Sequence, residues 1–342
     1  MFDSFDLFNE FPPELRHEIV LIGVRATEER FERAATKGHI AGVCREWKDV
    51  LYDAGDLWNE VFIHSSMSID HVRLLVRCAN KTSRDVHVEI STHDIEKNGG
   101  GGVLGLIDKR EVKSWSQKMG AHLASIVSKA KSITLRTLNQ RTLRHLLRHT
   151  NAQHARSLSC VSFDVLDKLD NRNGYLGAIT SASLDAVSLS RVSPLNLAAP
   201  QLHGIRQLRL SYLINIVSWD QFFDFLASCV ALEHLRLSNI ACYGSLPADA
   251  ITIASLHELD IDLSRYESVE VASRLLLPAL TSITLRGQER APWAEFTAIF
   301  EDVMHRVQEC IVDADVYSAE LASLLSQCSC AVTITPAAYE VE

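Results

Sequence analysis

The most regular signal in the chain is a two-residue alternation of apolar and polar positions that keeps returning. Seven short phrases, KSITLR, CVSFDV, AVSLSR, RQLRLS, EHLRLS, HELDID and TSITLR, each separate two apolar side chains by one polar residue. Such alternation predicts β-strands with one buried and one solvated face. Aligned on the last apolar residue, the phrases fall at Leu135, Phe163, Leu189, Leu210, Leu237, Ile261 and Leu285, at intervals of 28, 26, 21, 27, 24 and 24 residues. Two further phrases, ECIVDA and CAVTIT, put Val312 and Ile334 another 27 and 22 residues on. Ahead of the series, DVHVEIS alternates Val86, Val88 and Ile90 and reads as one more strand.

Between the strands the period lengthens. Trp219, Phe222, Phe223 and Leu226 recur at i, i+3, i+4 and i+7, behind a capping Ser218 or Asp220, and predict a helix. Pro292 opens another, with Trp293, Phe296, Phe300 and Val303 on one side. Strand alternating with helix calls for parallel strands joined by right-handed crossovers. A curved solenoid and a doubly wound sheet both satisfy that rule. The strict alternation favours the solenoid, because strands buried on both faces read as continuous apolar runs.

The spacing resembles the leucine-rich repeat, whose units of about 20–29 residues carry an L-x-x-L-x-L core. Leu232, Leu235 and Leu237 match that core, as do Leu256, Leu259 and Ile261, and Leu280, Ile283 and Leu285. The Asn or Cys that should follow is replaced by Leu138, Leu166, Val192, Leu213 and Ile240, so the repeats are irregular. The resemblance implies an α/β leucine-rich-repeat-like solenoid over residues 131–336, a horseshoe with its parallel sheet on the concave face. The polar residues of the strands would line that face: Thr134, Ser162, Ser188, Arg209, Arg236, Asp260 and Thr284 in one row, Arg136, Asp164, Ser190, Ser211, Ser238, Asp262 and Arg286 in the next. Taken singly, each is a solvated sheet residue. As a set they are the expected partner surface, with Arg209, His234, Arg236, Glu258, Asp260 and Asp262 as the target-binding residues, where mixed charge is densest.

The first sixty residues follow a helical period instead. In EFPPELRHEIV, Pro12 and Pro13 suit a first helical turn, Glu14 suits the positive end of the helix dipole, and Leu15, Ile19 and Ile22 make one stripe. In HIAGVCREWKDVLYDAGDLWNEVFI, the residues Ile40, Val43, Trp47, Val50 and Leu51 share a helical face that ends at Gly55, before Leu57 and Trp58. The charged stretch between, GVRATEERFERAATKG, reads as a loop or frayed helix. A helical group of this size is marginal alone and tends to need a second surface.

In order and content this segment, residues 8–62, resembles an F-box of the divergent type found in large fungal families. It has the Pro-Pro-Glu-Leu opening, a variable insertion, the Val-Cys-x-x-Trp helix and the terminal Leu-Trp. It departs from the pattern in Phe11, where Leu is usual, and in its charged insertion. The resemblance implies a small all-α domain that docks on the Skp-type adaptor of a cullin–RING ubiquitin ligase. Pro12, Pro13, Glu14, Leu15 and Ile19 match the opening that meets the adaptor; Val43, Cys44 and Trp47 match the second helix, and Leu57 and Trp58 the closing turn. Trp47 is equally suited to the domain's own core. Residues 63–130 form a connecting segment, with a flexible break at Gly99–Gly102 that lacks the Gly-Lys-Ser/Thr ending of a phosphate loop.

Composition narrows the partners. Thirty-four Lys and Arg against 43 Asp and Glu give 342 residues a net charge of −9, with no basic cluster for nucleic acid. No apolar run approaches the roughly 20 residues of a membrane span, and MFDSFDLFNEF carries acids where a secretory leader carries bases. Eight scattered cysteines predict reduced, mostly buried thiols and a cytoplasmic or nuclear setting. His145, His149 and His154 lack the glutamate and third ligand of a zinc helix, and Cys328-x-Cys330 lacks a second pair. There is no nucleophile elbow, kinase set or dinucleotide fingerprint. Neither catalytic residues, metal nor cofactor are expected. The function implied is that of a substrate-recognition subunit holding an unidentified target protein. The alternatives are an F-box protein working outside a ligase and a repeat scaffold whose N-terminal helices cap the first repeat.

Overall fold

The expected strands stack residue for residue. In the computed structural model the residues described are 10–26, 30–64, 67–82, 85–92, 129–137, 140–149, 157–166, 184–197, 202–287, 306–313, 319–326 and 330–335, with isolated positions between 114 and 126. The chain divides into an N-terminal unit (1–136 with 145–158) and a C-terminal unit (137–144 with 159–342).

The N-terminal unit begins with three helices, α1 (Pro13–Arg25), α2 (Arg30–Val43) and α3 (Arg45–Asp53). A single 3-10 turn (Gly55–Leu57) leads into strand β1 (Glu60–His64), helix α4 (Ile69–Lys81), β2 (Val86–Ser91) and β3 (Ala130–Thr137). The three strands are parallel, with Ile63 opposite Ile90 and Ile90 opposite Leu135. Two expectations are corrected here. The charged stretch after α1 is helical from Arg30, because Ala, Glu, Arg and Lys are strong helix formers. The face assigned to Ile40, Val43, Trp47, Val50 and Leu51 belongs to two helices, not one. Gly42 weakens the last turn of α2, and Cys44 swings to an extended φ of −158° as the N-cap of α3.

Helix α5 (Gln140–His149) follows β3. In the C-terminal unit, β4 (Cys160–Val165), β5 (Ala186–Ser190), β6 (Gln207–Ser211), β8 (His234–Ser238), β11 (Glu258–Asp262), β13 (Ser282–Arg286), β14 (Glu309–Asp313) and β15 (Ala331–Thr335) lie side by side in that order. All neighbours are parallel. Phe163, Leu189, Leu210, Leu237, Ile261, Leu285, Val312 and Ile334 are mutually opposite, matching the alignment made on sequence. Through β14 every member of that column is 3% exposed or less. On β15, Val332 and Ile334 are exposed.

Behind this ladder the connections vary. Short β7 (Ile214–Ser218) pairs with β9 (Ala241–Tyr243), and β10 (Ile251–Thr252) with β12 (Leu275–Leu276). Helix α6 (Trp219–Ser228) has a capping box in which Ser218 Oγ accepts from Gln221 N–H and the Gln221 side chain accepts from Ser218 N–H. It buries Trp219, Phe222 and Phe223 with ring centroids 5.7–6.2 Å apart, Phe222 lying edge to face against both of the others. Helices α7 (Tyr266–Ser273) and α8 (Ala319–Ser326) bridge later strands. The strand–helix alternation is not uniform: β8 reaches β11 through two short strands and no helix. The helix expected after Pro292 lies outside the described residues, as do Gly99–Gly102. Among the described residues no helix is long and apolar enough to cross a membrane.

The turn that replaces the missing Asn is a backbone device. Arg191, Tyr212, Asn239 and Gly287 each directly follow a strand, and each has positive φ (56°, 55°, 53° and 139°). The next residues, Val192, Leu213 and Ile240, are buried. The ladder runs on through these turns, with Arg191 N–H donating to Ser211 O at 3.0 Å and Tyr212 N–H to Ser238 O at 2.9 Å. The Arg191 guanidinium lies 4.3 Å over the Tyr212 ring, so the turn residues of successive rungs stack. At Gly287 a Cβ would lie 2.9 Å from Ser264 N. Gly287→Ala is expected to cost about 1–3 kcal/mol of unfolding free energy in urea titration, from left-handed strain and backbone collision. An unchanged midpoint would show that the rungs can move apart there.

Candidate functional site

Helix α1 carries apolar residues on two sides, and only one side is spent on the fold. Val20, Leu21 and Val24 are buried. Leu15, Ile19 and Ile22, the stripe predicted from sequence, are 50%, 36% and 64% exposed. Pro12 and Pro13 open the helix as expected, Glu14 sits in the first turn, and all three are exposed. Arg16 Nε donates to Phe11 O at 2.8 Å, tying the approach to the helix. Val43 is exposed, while Cys44 and Trp47 are half-buried.

Leu57 and Trp58 are buried and not part of an exposed surface. They are 4% and 3% exposed, so the chain spends them on its own core. Trp58 Nε1 donates to Leu51 O at 3.0 Å and its ring sits 5.7 Å from that of Tyr52. Lys37 Nζ lies 4.9 Å over the same indole and donates to Leu57 O at 2.5 Å. Arg33 pairs with Glu60 at 2.9 Å beside it.

In the C-terminal unit the polar positions of the strands come out on one face, as the alternation requires. Five strands, β6, β8, β11, β13 and β14, carry a groove of about 400 Å³. Arg209, His234, Arg236, Glu258 and Asp260, picked out on sequence, line it together. His234 Nδ1 is 2.7 Å from Glu258 Oε2. Asp260 takes Arg286 Nε at 2.9 Å and Arg236 Nε at 3.6 Å. Asp262 does other work. Its carboxylate accepts from Ser264 N–H at 2.9 Å, Ser264 Oγ–H at 2.6 Å and Ser238 Oγ–H at 2.9 Å, fastening the turn after β11, and it does not line the groove. Three polar groove residues were missed: Gln207, Ser282 and Glu309. Register holds the signal for them, since all three stand in the row of His234 and Glu258.

No family model matches this chain, and no curated protein matches it. Among solved structures it is similar to the leucine-rich repeat-containing protein LegL7 from Legionella pneumophila, with 15% identity, a TM-score of 0.41, and 81% of this chain and 83% of that one covered.

Cys78, Cys229, Cys242 and Cys310 are buried thiols, and burial pushes Cys229 and Cys242 up to about 12. Cys328, His154 and the side chains of His145 and His149 lie outside the described residues. Among those described, no three His, Cys, Asp or Glu residues are grouped to hold a metal.

Burial also lowers Lys37, to about 8 from the usual 10.5, with Glu60 opposing the shift and Arg33 adding to it. The folded chain therefore holds this proton less tightly than the unfolded one. The cost is fully present below pH 8 and is relieved as pH rises toward 10.5. The stability of wild type relative to Lys37→Met is accordingly expected to rise by about 2 kcal/mol between pH 7.5 and 10 in paired urea titrations. A flat difference would mean that the ammonium is better solvated than its surroundings imply.

Proposed function

We propose that the chain is a non-catalytic interaction subunit with two working surfaces, the substrate-recognition component of a Skp–cullin–F-box type ubiquitin ligase. Residues 8–62 supply the docking surface for the Skp-type adaptor, and the strand face within residues 131–336 holds the target protein. The single observation behind this reading is the stripe of Leu15, Ile19 and Ile22, left in solvent while the opposite side of the same helix is buried. A helix that only capped a neighbouring repeat would turn its apolar side toward that repeat. Three aliphatic side chains exposed along one helix suit a partner's apolar groove.

The groove over β6–β14 suits the second role. It is polar, charged in both signs and built on rigid strands, which favours selectivity over bulk adhesion. Holding a target on one surface and the ligase machinery on the other raises the effective concentration of the target lysine near the transfer site. No acid, base or nucleophile is asked of this chain.

Co-purification with a recombinant Skp-type adaptor tests the docking surface. Wild type is expected to form a stable complex, and Leu15→Asp to weaken it at least about tenfold, since a charge replaces apolar contact area. Because Leu15 is half-exposed, the thermal midpoint of the variant should stay close to that of wild type. Failure of the wild type to bind, or undiminished binding by Leu15→Asp, would overturn the assignment.

A further inference from the structure

The groove has a polarity that follows from which of its charges are already paired. Its inner charges satisfy one another: His234 with Glu258, and Arg236 and Arg286 with Asp260. Arg209 on β6 and Glu309 on β14 are exposed, and neither side chain has an ionic or hydrogen-bond partner among the described residues. They stand at opposite ends of the groove, four strand steps apart along β6, β8, β11, β13 and β14. At about 4.8 Å per step and two residues of offset along the strands, their backbones are about 20 Å apart. Arg209 is also directly opposite Arg236 in register, a like-charge neighbour that raises the value of an anion there.

Resting on the reading of this groove as the target-binding surface, we propose that its occupant is an extended segment of the partner protein that crosses the strands, with a carboxylate on Arg209 and a Lys or Arg on Glu309. An extended chain covers 20 Å in about six residues, so the two charges should be about six positions apart. The guanidinium fork donates to a carboxylate bidentately, and Ser188, opposite Arg209 on β5, adds a hydroxyl at the same end. A single carboxylate fits better than a phosphate dianion. One arginine is uncompensated at this end, and the next two are held by Asp260.

The test is selection of a random twelve-residue phage-displayed peptide library on the full-length chain, followed by fluorescence anisotropy with the enriched peptides. Enriched sequences are expected to carry an acidic and a basic residue five to seven positions apart. Arg209→Glu and Glu309→Lys should each weaken them at least about tenfold. The double exchange should recover much of the loss, since it restores one charge of each sign. Both positions are exposed, and matching thermal midpoints will exclude unfolding. Peptides that are blocked by Ser188→Trp yet lack the charge pair, or ignore both charge reversals, would overturn the polarity and leave the groove as a binding surface. Preference for phosphoserine over glutamate at the acidic position would overturn the carboxylate assignment. No enrichment over a control protein, or enrichment insensitive to Ser188→Trp, would overturn both the polarity and the target-binding role of the groove.

Discussion

The lateral stacking of apolar side chains across parallel strands is the constraint on which the rest of the C-terminal unit depends. With Phe163, Leu189, Leu210, Leu237, Ile261, Leu285 and Val312 opposite one another and buried, the register has no freedom. A slip of one residue on any strand would send its leucines into water and its arginines or aspartates into the core. The polar face is therefore a consequence of the core and not an independent feature. Its charges are set in columns by the same register, which is why Arg236 meets Asp260 and His234 meets Glu258. Leaving β5, β6, β8 and β13 through a residue of positive φ tucks Val192, Leu213 and Ile240 inward after the first three, and makes any side chain at 287 costly.

The N-terminal unit obeys a looser constraint. Helices α2 and α3 meet at Trp58, with Lys37 above the ring and Tyr52 beside it. Helix α1 buries Val20, Leu21 and Val24 on one side and leaves Leu15, Ile19 and Ile22 outside on the other. Full burial of such side chains is worth about 1.5–3 kcal/mol each. The stabilisation is there to be gained only against a second surface, and this gives the proposed docking role its physical basis.

What was legible in the sequence divides along the same line. Alternation is a strong signal because one period fixes both strand and face, so the repeat strands and the groove residues from Arg209 to Asp260 could be placed in advance. The break at Cys44 could not, because the apolar spacing is helical on both sides of it. Helix α4 has a Ser68 cap and a stripe of Val72, Leu75, Val76 and Ala79, but it stands outside the repeat spacing that organised the reading. Arg191 and Tyr212 give no residue-type hint of a left-handed turn, unlike Asn239 and Gly287. Asp262 looked like its charged neighbours, and only the side-chain geometry shows that its carboxylate is committed to Ser264 and Ser238.

The most direct measurement is calorimetric titration of a purified Skp-type adaptor into the full-length chain at several temperatures. If α1 docks through its exposed aliphatic stripe, binding should be saturable, one to one, and accompanied by a clearly negative heat-capacity change from apolar burial. No saturable heat at tens of micromolar protein, or binding with a heat-capacity change near zero, would contradict it.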